Sequence, residues 1–261
     1  MPKHSRSSLL LFLHFPAKNE IVALLSSLNK NFEIISLDFN EDCIHVEGLD
    51  GIGISFVSLD IFPEALVAYD LEKDLNIKLS TTDLNCALHG YGGALEIMIK
   101  CSAPDSLNVN CLDKRMMWTV PLRTLHMEKL DAGIIPCISS CSFHAIKPVL
   151  LSVRGFIEGS SNDNLVICTK AQGLWTLAIG ETVILQITID AVQETAELVD
   201  TETRLAAKKF MQILELFRSV GSDTKCNINI LRKVENPSNL LMINAEVKGA
   251  VMKVYLASRF G

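Results

Sequence analysis

Ile44-His45-Val46-Glu47-Gly48-Leu49 and Leu174-Trp175-Thr176-Leu177-Ala178-Ile179 stand 130 positions apart, half the length of a 261-residue chain, and read as one strand written twice. The stretches that follow keep the offset: Ile54-Ser55-Phe56-Val57-Ser58-Leu59-Asp60 answers to Ile184-Leu185-Gln186-Ile187-Thr188-Ile189-Asp190. In both halves a short glycine-containing turn separates two runs of interrupted apolar–polar alternation, the pattern of half-buried strands. Few letters are identical. The repeat lies in the order of apolar and polar positions, and it divides the chain into two similar halves.

Helical patterns flank these strands at the same offset. From Lys18 to Leu28, the residues Ile21, Leu24, Leu25 and Leu28 form one apolar stripe. From Lys147 to Glu158 the stripe is Val149, Leu150, Val153, Phe156 and Ile157, with Pro148 suited to the first turn. A second helix is predicted over Ser80–Leu88, with Leu84, Ala87 and Leu88 inward and Thr81 or Thr82 as its cap. Its counterpart runs from Arg204 to Phe217 and turns Phe210, Ile213, Leu214 and Phe217 inward. A strand pair follows each second helix. Leu95, Ile97 and Ile99 alternate with Glu96, Met98 and Lys100, and Cys226, Ile228 and Ile230 alternate with Lys225, Asn227 and Asn229.

Each half thus reads strand, helix, strands, helix, strands. The expected class is α+β, with two similar domains that each pack two helices on antiparallel sheet. The first domain is placed at 1–120 and the second at 137–261. Residues 121–136 read as an inter-domain connector: Pro121, Gly133 and Pro136 punctuate it, and Arg123, His126, Glu128, Lys129 and Asp131 make it polar.

Composition excludes several classes. Apolar residues make up 49% and charged residues 21%, enough for a packed core and too apolar for a disordered chain. No apolar run reaches membrane-spanning length. Lys3 and Arg6 before Leu9-Leu10-Leu11-Phe12-Leu13 faintly resemble a leader, but the run is short and no small-residue cleavage site follows, so a first strand in an intracellular chain is expected. The eight cysteines include no C-x-x-C pair, and no second ligand pair accompanies Cys137 and Cys141, so buried thiols in a reducing compartment are expected, with no metal or other cofactor. There is no P-loop, G-x-G-x-x-G, H-E-x-x-H or G-x-S-x-G, and the six histidines are scattered. No enzyme class is indicated.

Several stretches, in order along nearly the whole chain, resemble the proliferating cell nuclear antigen family of DNA sliding clamps. Leu49-Asp50-Gly51-Ile52-Gly53-Ile54-Ser55-Phe56-Val57 is similar to the clamp segment in which Met-Asp, a short turn and a rising strand follow one another. Leu66 to Leu79, with Tyr69 and Asn76-Ile77-Lys78-Leu79, resembles the clamp stretch leading into the second helix. Leu165-Val166-Ile167-Cys168-Thr169-Lys170-Ala171-Gln172-Gly173 looks like Val-Ile-Ser-Cys-Ala-Lys-Asp-Gly. Lys253-Val254-Tyr255-Leu256-Ala257-Ser258-Arg259-Phe260 looks like Lys-Tyr-Tyr-Leu-Ala-Pro-Lys-Ile. Ser258 replaces the usual proline, and His126 and Lys129 stand where acidic or neutral residues are common, which marks a divergent member, cellular or viral.

The resemblance implies a trimeric ring, with helices around duplex DNA and sheets outside. A heterotrimeric clamp and a monomer- or dimer-acting polymerase accessory factor of the same fold are the alternatives. Charge agrees with a ring. The four helical windows 17–30, 80–90, 146–158 and 203–219 hold eight cations and four anions, +4 against −6 for the whole chain, although the second helix has no Lys or Arg. Lys18, Lys78, Lys147, Arg154, Lys208, Lys209 and Arg218 are the expected sequence-independent phosphate contacts. Leu49, Leu125, Met127, Leu130, Leu256 and Ala257 are expected to line a pocket for short peptides of DNA polymerase and other partners. Met116 and Trp118 on one strand, and Leu185 and Ile187 on another, are expected to join subunits edge to edge. Lys170 matches a clamp lysine that accepts ubiquitin in several relatives. A clamp loader as partner, and the nucleus or a site of viral DNA replication as location, follow from the same likeness.

Overall fold

The computed structural model describes residues 8–89, 92–123, 135–143, 146–158, 164–169, 174–179, 183–188, 201–219, 224, 226–232 and 238–258. The chain divides into two compact units. One comprises Met1–Gly51, Ser58–Glu128 and Val247–Val251; the other comprises Ile52–Val57, Lys129–Glu246 and Met252–Gly261.

The elements of the first half, in chain order, are β1 (Leu9–Phe15), α1 (Glu20–Ser27), β2 (Ile34–Phe39), β3 (Ile44–Leu49), β4 (Ser55–Ile61), β5 (Ala68–Leu71), β6 (Leu75–Ser80), α2 (Thr81–Leu88), β7 (Leu95–Lys100), β8 (Ala103–Cys111) and β9 (Met116–Pro121). Strands β5-β1-β7-β8-β9 form one antiparallel sheet, and β6, β2, β3 and β4 lie side by side in another. Alternation decides which faces are buried. Leu11, Leu13 and Phe15 of β1 and Leu95, Ile97 and Ile99 of β7 point inward, while the residues between them are half-buried or exposed. Helices α1 and α2 pack against each other, with Ile21, Leu24, Leu25, Leu84 and Leu88 buried. Each such side chain stabilises the fold by about 1.5–3 kcal/mol relative to exposure.

Local chemistry fixes where these helices start. The Asn19 side chain accepts a hydrogen bond from the Ile21 N–H at 2.8 Å and caps α1, so the helix begins at Glu20 and Lys18 lies outside it. The cap of α2 is Ser80, whose hydroxyl accepts from the Asp83 N–H at 3.3 Å. Thr81, expected as a cap, is buried instead and donates its hydroxyl to the carbonyls of Phe32 and Glu33.

The second half gives β10 (Cys137–Phe143), α3 (Ile146–Glu158), β11 (Asn164–Thr169), β12 (Leu174–Ile179), β13 (Val183–Thr188), β14 (Thr201–Ala206), α4 (Ala207–Leu216), β15 (Cys226–Arg232), β16 (Asn239–Val247) and β17 (Ala250–Ala257). Among the described residues the order matches the first half, with no counterpart of β5 described between β13 and β14. Strands β13-β12-β11-β14 form one sheet, and β10, β15, β16 and β17 lie side by side in another. The expected class, α+β with two helices on antiparallel sheet in each half, is the one observed. One expectation is corrected. Arg204 belongs to β14, not to a helix, because 201–206 is held in a ladder with β11 that runs from Thr169↔Thr201 to Asn164↔Ala206. Helix α4 starts at Ala207 and buries Phe210, Ile213 and Leu214. Buried Asn239 on β16 donates to the Glu202 carbonyl and the Thr203 hydroxyl, which ties it to β14.

Candidate functional site

Strand β9 is bonded on one side only. It pairs with β8 from Cys111↔Met116 to Ser106↔Pro121, and no strand among the described residues takes its other side. Its side chains fit a strand meant to be covered: Met116 is 44% exposed and Met117 62%, while Val120 points into the core. The tight turn before it places Arg115 in the left-handed region at φ 52°. Behind the strand a cavity of about 240 Å³ opens toward α2. Trp118 and Met116 wall it from β9, Val109 and Cys111 from β8, and Cys86, Ala87 and His89 from α2 and the residue after it. Among the described residues strand β13 is likewise bonded on one side only, as are the other sheet-end strands β5, β6, β10 and β14. It pairs with β12 from Leu174↔Thr188 to Ile179↔Val183, and it carries Leu185 and Ile187.

The expected cations are distributed unevenly. Lys18 is exposed in the turn before α1, with φ 55°. Lys78 lies on β6, and its carbonyl accepts the Arg123 N–H at 2.6 Å. Arg123 was read as a connector residue, yet its guanidinium stands 3.6 Å from Asp83 of α2 and gives that helix the positive neighbour it lacks. Forty positions of sequence separate the two, so only the fold shows the pairing. Lys147 lies on α3, and Lys208 and Lys209 lie on α4, with Lys208 exposed and Lys209 half-buried. Arg154 and Arg218 are partly committed. Arg154 donates to Glu158 at 2.8 Å and sits 3.6 Å from Glu215, which also lies 3.6 Å from Arg218.

Of the expected peptide-binding residues, Leu49 ends β3 and is 38% exposed, and Ala257 ends β17 half-buried. Leu256 requires a correction: it is only 1% exposed, because on β17 it alternates inward with Met252 and Val254, so its side chain does not line a surface pocket. Leu125, Met127, Leu130 and Lys170 lie outside the described residues.

One further polar cluster is built into the sheet that holds β3 and β4. His45 of β3 is held between Asp60 of β4, at 2.5 Å from Nδ1, and Glu47, at 2.8 Å from Nε2. The hydrogen bond to Asp60, with help from Glu47, pushes its pKa up to about 9 against the opposing effect of burial. The two ring nitrogens face opposite carboxylates, so the group does not converge on one cation. Among the described residues no cluster of His, Cys, Asp and Glu is arranged to hold a metal ion, and no helix is long and apolar enough to cross a membrane.

No protein-family model matches the chain, and no curated protein matches it either. Solved structures do. The proliferating cellular nuclear antigen of Entamoeba histolytica matches with a TM-score of 0.80 at 17% identity, over 97% of this chain and all of that one. That of Thermococcus kodakaraensis matches with a TM-score of 0.80 at 15% identity, over 95% of this chain and all of that one. The A. fulgidus antigen, solved with the C-terminal region of FEN-1 bound, matches with a TM-score of 0.78 at 12% identity, over 96% of this chain and 99% of that one. A chain in the PCNA2–PCNA3 complex of Sulfolobus tokodaii matches with a TM-score of 0.77 at 12% identity, over 95% and 99% of the two chains. The chain therefore has the sliding-clamp fold along nearly its whole length.

Proposed function

We propose that this chain, which has the sliding-clamp fold, is one subunit of a homotrimeric ring that encircles duplex DNA and tethers DNA polymerase and other replication and repair proteins, with no catalysis of its own. The observation that carries the reading is strand pairing. Strands β9 and β13 each have one open edge. Their counterparts half a chain away are β17 and β4, and the flanks of those two bond each other: Phe62 N–H donates to the Gly249 carbonyl at 2.9 Å, and Ala257 N–H to the Ile54 carbonyl at 2.9 Å. The same pairing between β9 of one copy and β13 of the next is a heterologous joint, which closes into a ring at a suitable rotation. Met116, Trp118, Leu185 and Ile187 sit on the strands that would meet.

The ring would hold DNA through Lys18, Lys78, Lys147, Arg154, Lys208, Lys209 and Arg218, without reading bases and with strong salt dependence. Partners would dock as short peptides near Leu49 and Ala257 together with Leu125, Met127 and Leu130. The A. fulgidus relative solved with a bound FEN-1 C-terminal region supports that mode. A clamp loader would place the ring, in the nucleus or at a site of viral DNA replication.

Sedimentation of the purified chain tests the joint. Wild type is expected at the mass of a trimer, and Met117→Lys with Ile187→Lys at that of a monomer with an unchanged circular dichroism spectrum. A monomeric wild type, or a double variant of unchanged mass, overturns the closed homotrimer.

A second reading has its own support. The helices of the two halves differ in charge, and one relative was solved as a PCNA2–PCNA3 complex, so an unequal ring with different subunits is the alternative. Its signature is a chain that is monomeric alone and becomes trimeric only with a distinct clamp-fold partner.

A further inference from the structure

We propose that the cavity behind β9 is a thiol-modification site, where a small anionic disulfide such as glutathione disulfide forms a mixed disulfide with Cys86 and thereby blocks the β9 edge. The regulatory half of this inference rests on the subunit-joining role assigned to β9 above. The site itself rests on what lines the cavity.

Two thiols share it, an exposed Cys86 from α2 and a half-buried Cys111 from β8, together with His89, Lys114 and an apolar wall of Ala87, Leu95, Val109, Met116 and Trp118. Four of the five other described cysteines are placed differently. Burial pushes the Cys226 thiol up to about 12 and raises that of Cys43, which disfavours the reactive thiolate at both. Cys101 is exposed but lies 3.7 Å from the Glu72 carboxylate, which repels an anionic reagent. The exposed Cys137 thiol donates to the Asn229 side chain at 3.8 Å. Cys86 combines exposure with a place in a concave, largely apolar cavity that Lys114 also lines, which seats an anionic reagent.

The chemistry balances without a further oxidant. The Cys86 thiol loses its proton to water, and the thiolate attacks one sulfur of the reagent. The Cys86–sulfur bond forms as the reagent's own S–S bond breaks. The second half leaves as a thiolate and takes up a proton. Cys86 is oxidised and the released thiol is the reduced product. A volume of about 240 Å³ is below that of pockets that enclose drug-sized ligands, so a tripeptide adduct projects from the mouth beside Met116. A neighbouring strand then has no clear path to the edge.

The experiment uses the full-length chain with glutathione disulfide, read by peptide mass mapping and by sedimentation. The expected result is an adduct that appears on Cys86 several-fold faster than on Cys101 or Cys137, a fall in mass to that of single subunits, and recovery with dithiothreitol. Cys86→Ser is expected to keep its assembled mass under the same treatment, and Cys101→Ser to dissociate like wild type. An adduct elsewhere that leaves Cys86 unmodified overturns the site. A Cys86 adduct with no change in mass overturns the regulation while the site stands. A reduced wild type already monomeric overturns both the ring and its regulation, and the mapping still decides the site.

Discussion

The helices of the two halves share fold and order but not charge. In the first half α1, with the short turn that continues it to Lys30, and α2 carry Lys30 against Glu20 and Asp83, a balance of −1. In the second half α3 and α4, with the turn through Ser219, carry Lys147, Arg154, Lys208, Lys209 and Arg218 against Glu158 and Glu215, a balance of +3. The +4 of the sequence windows becomes +2 once Lys18 and Arg204 are seen to lie outside helices. The first half keeps its best-organised cation, His45, inside its own sheet between Asp60 and Glu47. The difference teaches that a shared backbone plan does not make two halves equal partners for a polyanion: grip on DNA is expected to sit mainly on α3 and α4.

The sharpest way to break that asymmetry is Lys208→Ala with Lys209→Ala. Each phosphate contact contributes about 0.9 to the slope of log affinity against log salt, so the pair should flatten the slope by about 1.8 and change binding about twelvefold over a fourfold range of salt. A fluorescence titration of duplex DNA against salt reads it, and an unchanged slope removes α4 from the interface. Next in size is the role of His45. Its pKa is raised from 6.5 to about 9, so its contribution is complete below pH 6.5 and is lost as pH rises through about 9. Urea unfolding should show wild type losing about 1 kcal/mol, roughly a fivefold change in the folding equilibrium, from pH 6.5 to 10. His45→Gln should show no such loss, and a parallel loss in the variant would place the pH dependence elsewhere.

The complementary experiment adds charge to the poor half. Thr82 is exposed on α2, and Thr82→Lys should steepen the salt slope by about 0.9, or three- to fourfold over the same range, if that face lies near phosphate. No change would show that α2 faces away from DNA. The smallest effect is expected from Glu215→Gln, which releases Arg154 and Arg218 from one carboxylate at 3.6 Å. Exposed pairs of this kind are worth at most about 1 kcal/mol, so affinity for DNA should rise less than threefold with folding stability nearly unchanged. A fall in affinity would mean that Glu215 positions the arginines.

What the sequence made legible was local. The inward faces of β1 and β7 follow from side chains two apart, and the stripe of α1 from side chains three and four apart, so both could be read without the fold. Strand β5 could not: its four residues are half-buried or exposed, and its partner β1 is more than fifty positions away. The start of α4 was misread because the ladder between β14 and β11 holds Arg204 extended against a helical pattern. Arg123 was missed because its approach to Asp83 depends on where β9 ends. Leu256 teaches a different lesson. Its inward direction was readable from the alternation of Met252, Val254 and Leu256, and the likeness to a known pocket was weighed above it. The residues that would complete the peptide pocket, Leu125, Met127 and Leu130, lie outside the described residues.

The two edges assigned to the proposed joint, those of β9 and β13, also set a valence. If assembly runs through those two edges, a chain with one of each kind joins two neighbours, and its assemblies would be lines that either close or keep growing. In a closed set the last joint forms between ends already tethered, at an effective concentration in the millimolar range. Dilution then takes closed sets directly to single chains with few pairs in between, whereas an open line shortens by degrees. Each strand would supply only six residues to its joint, so a single joint would be weak while the closed set would be long-lived. In such a set one gap would open and reseal while the remaining joints hold the copies together.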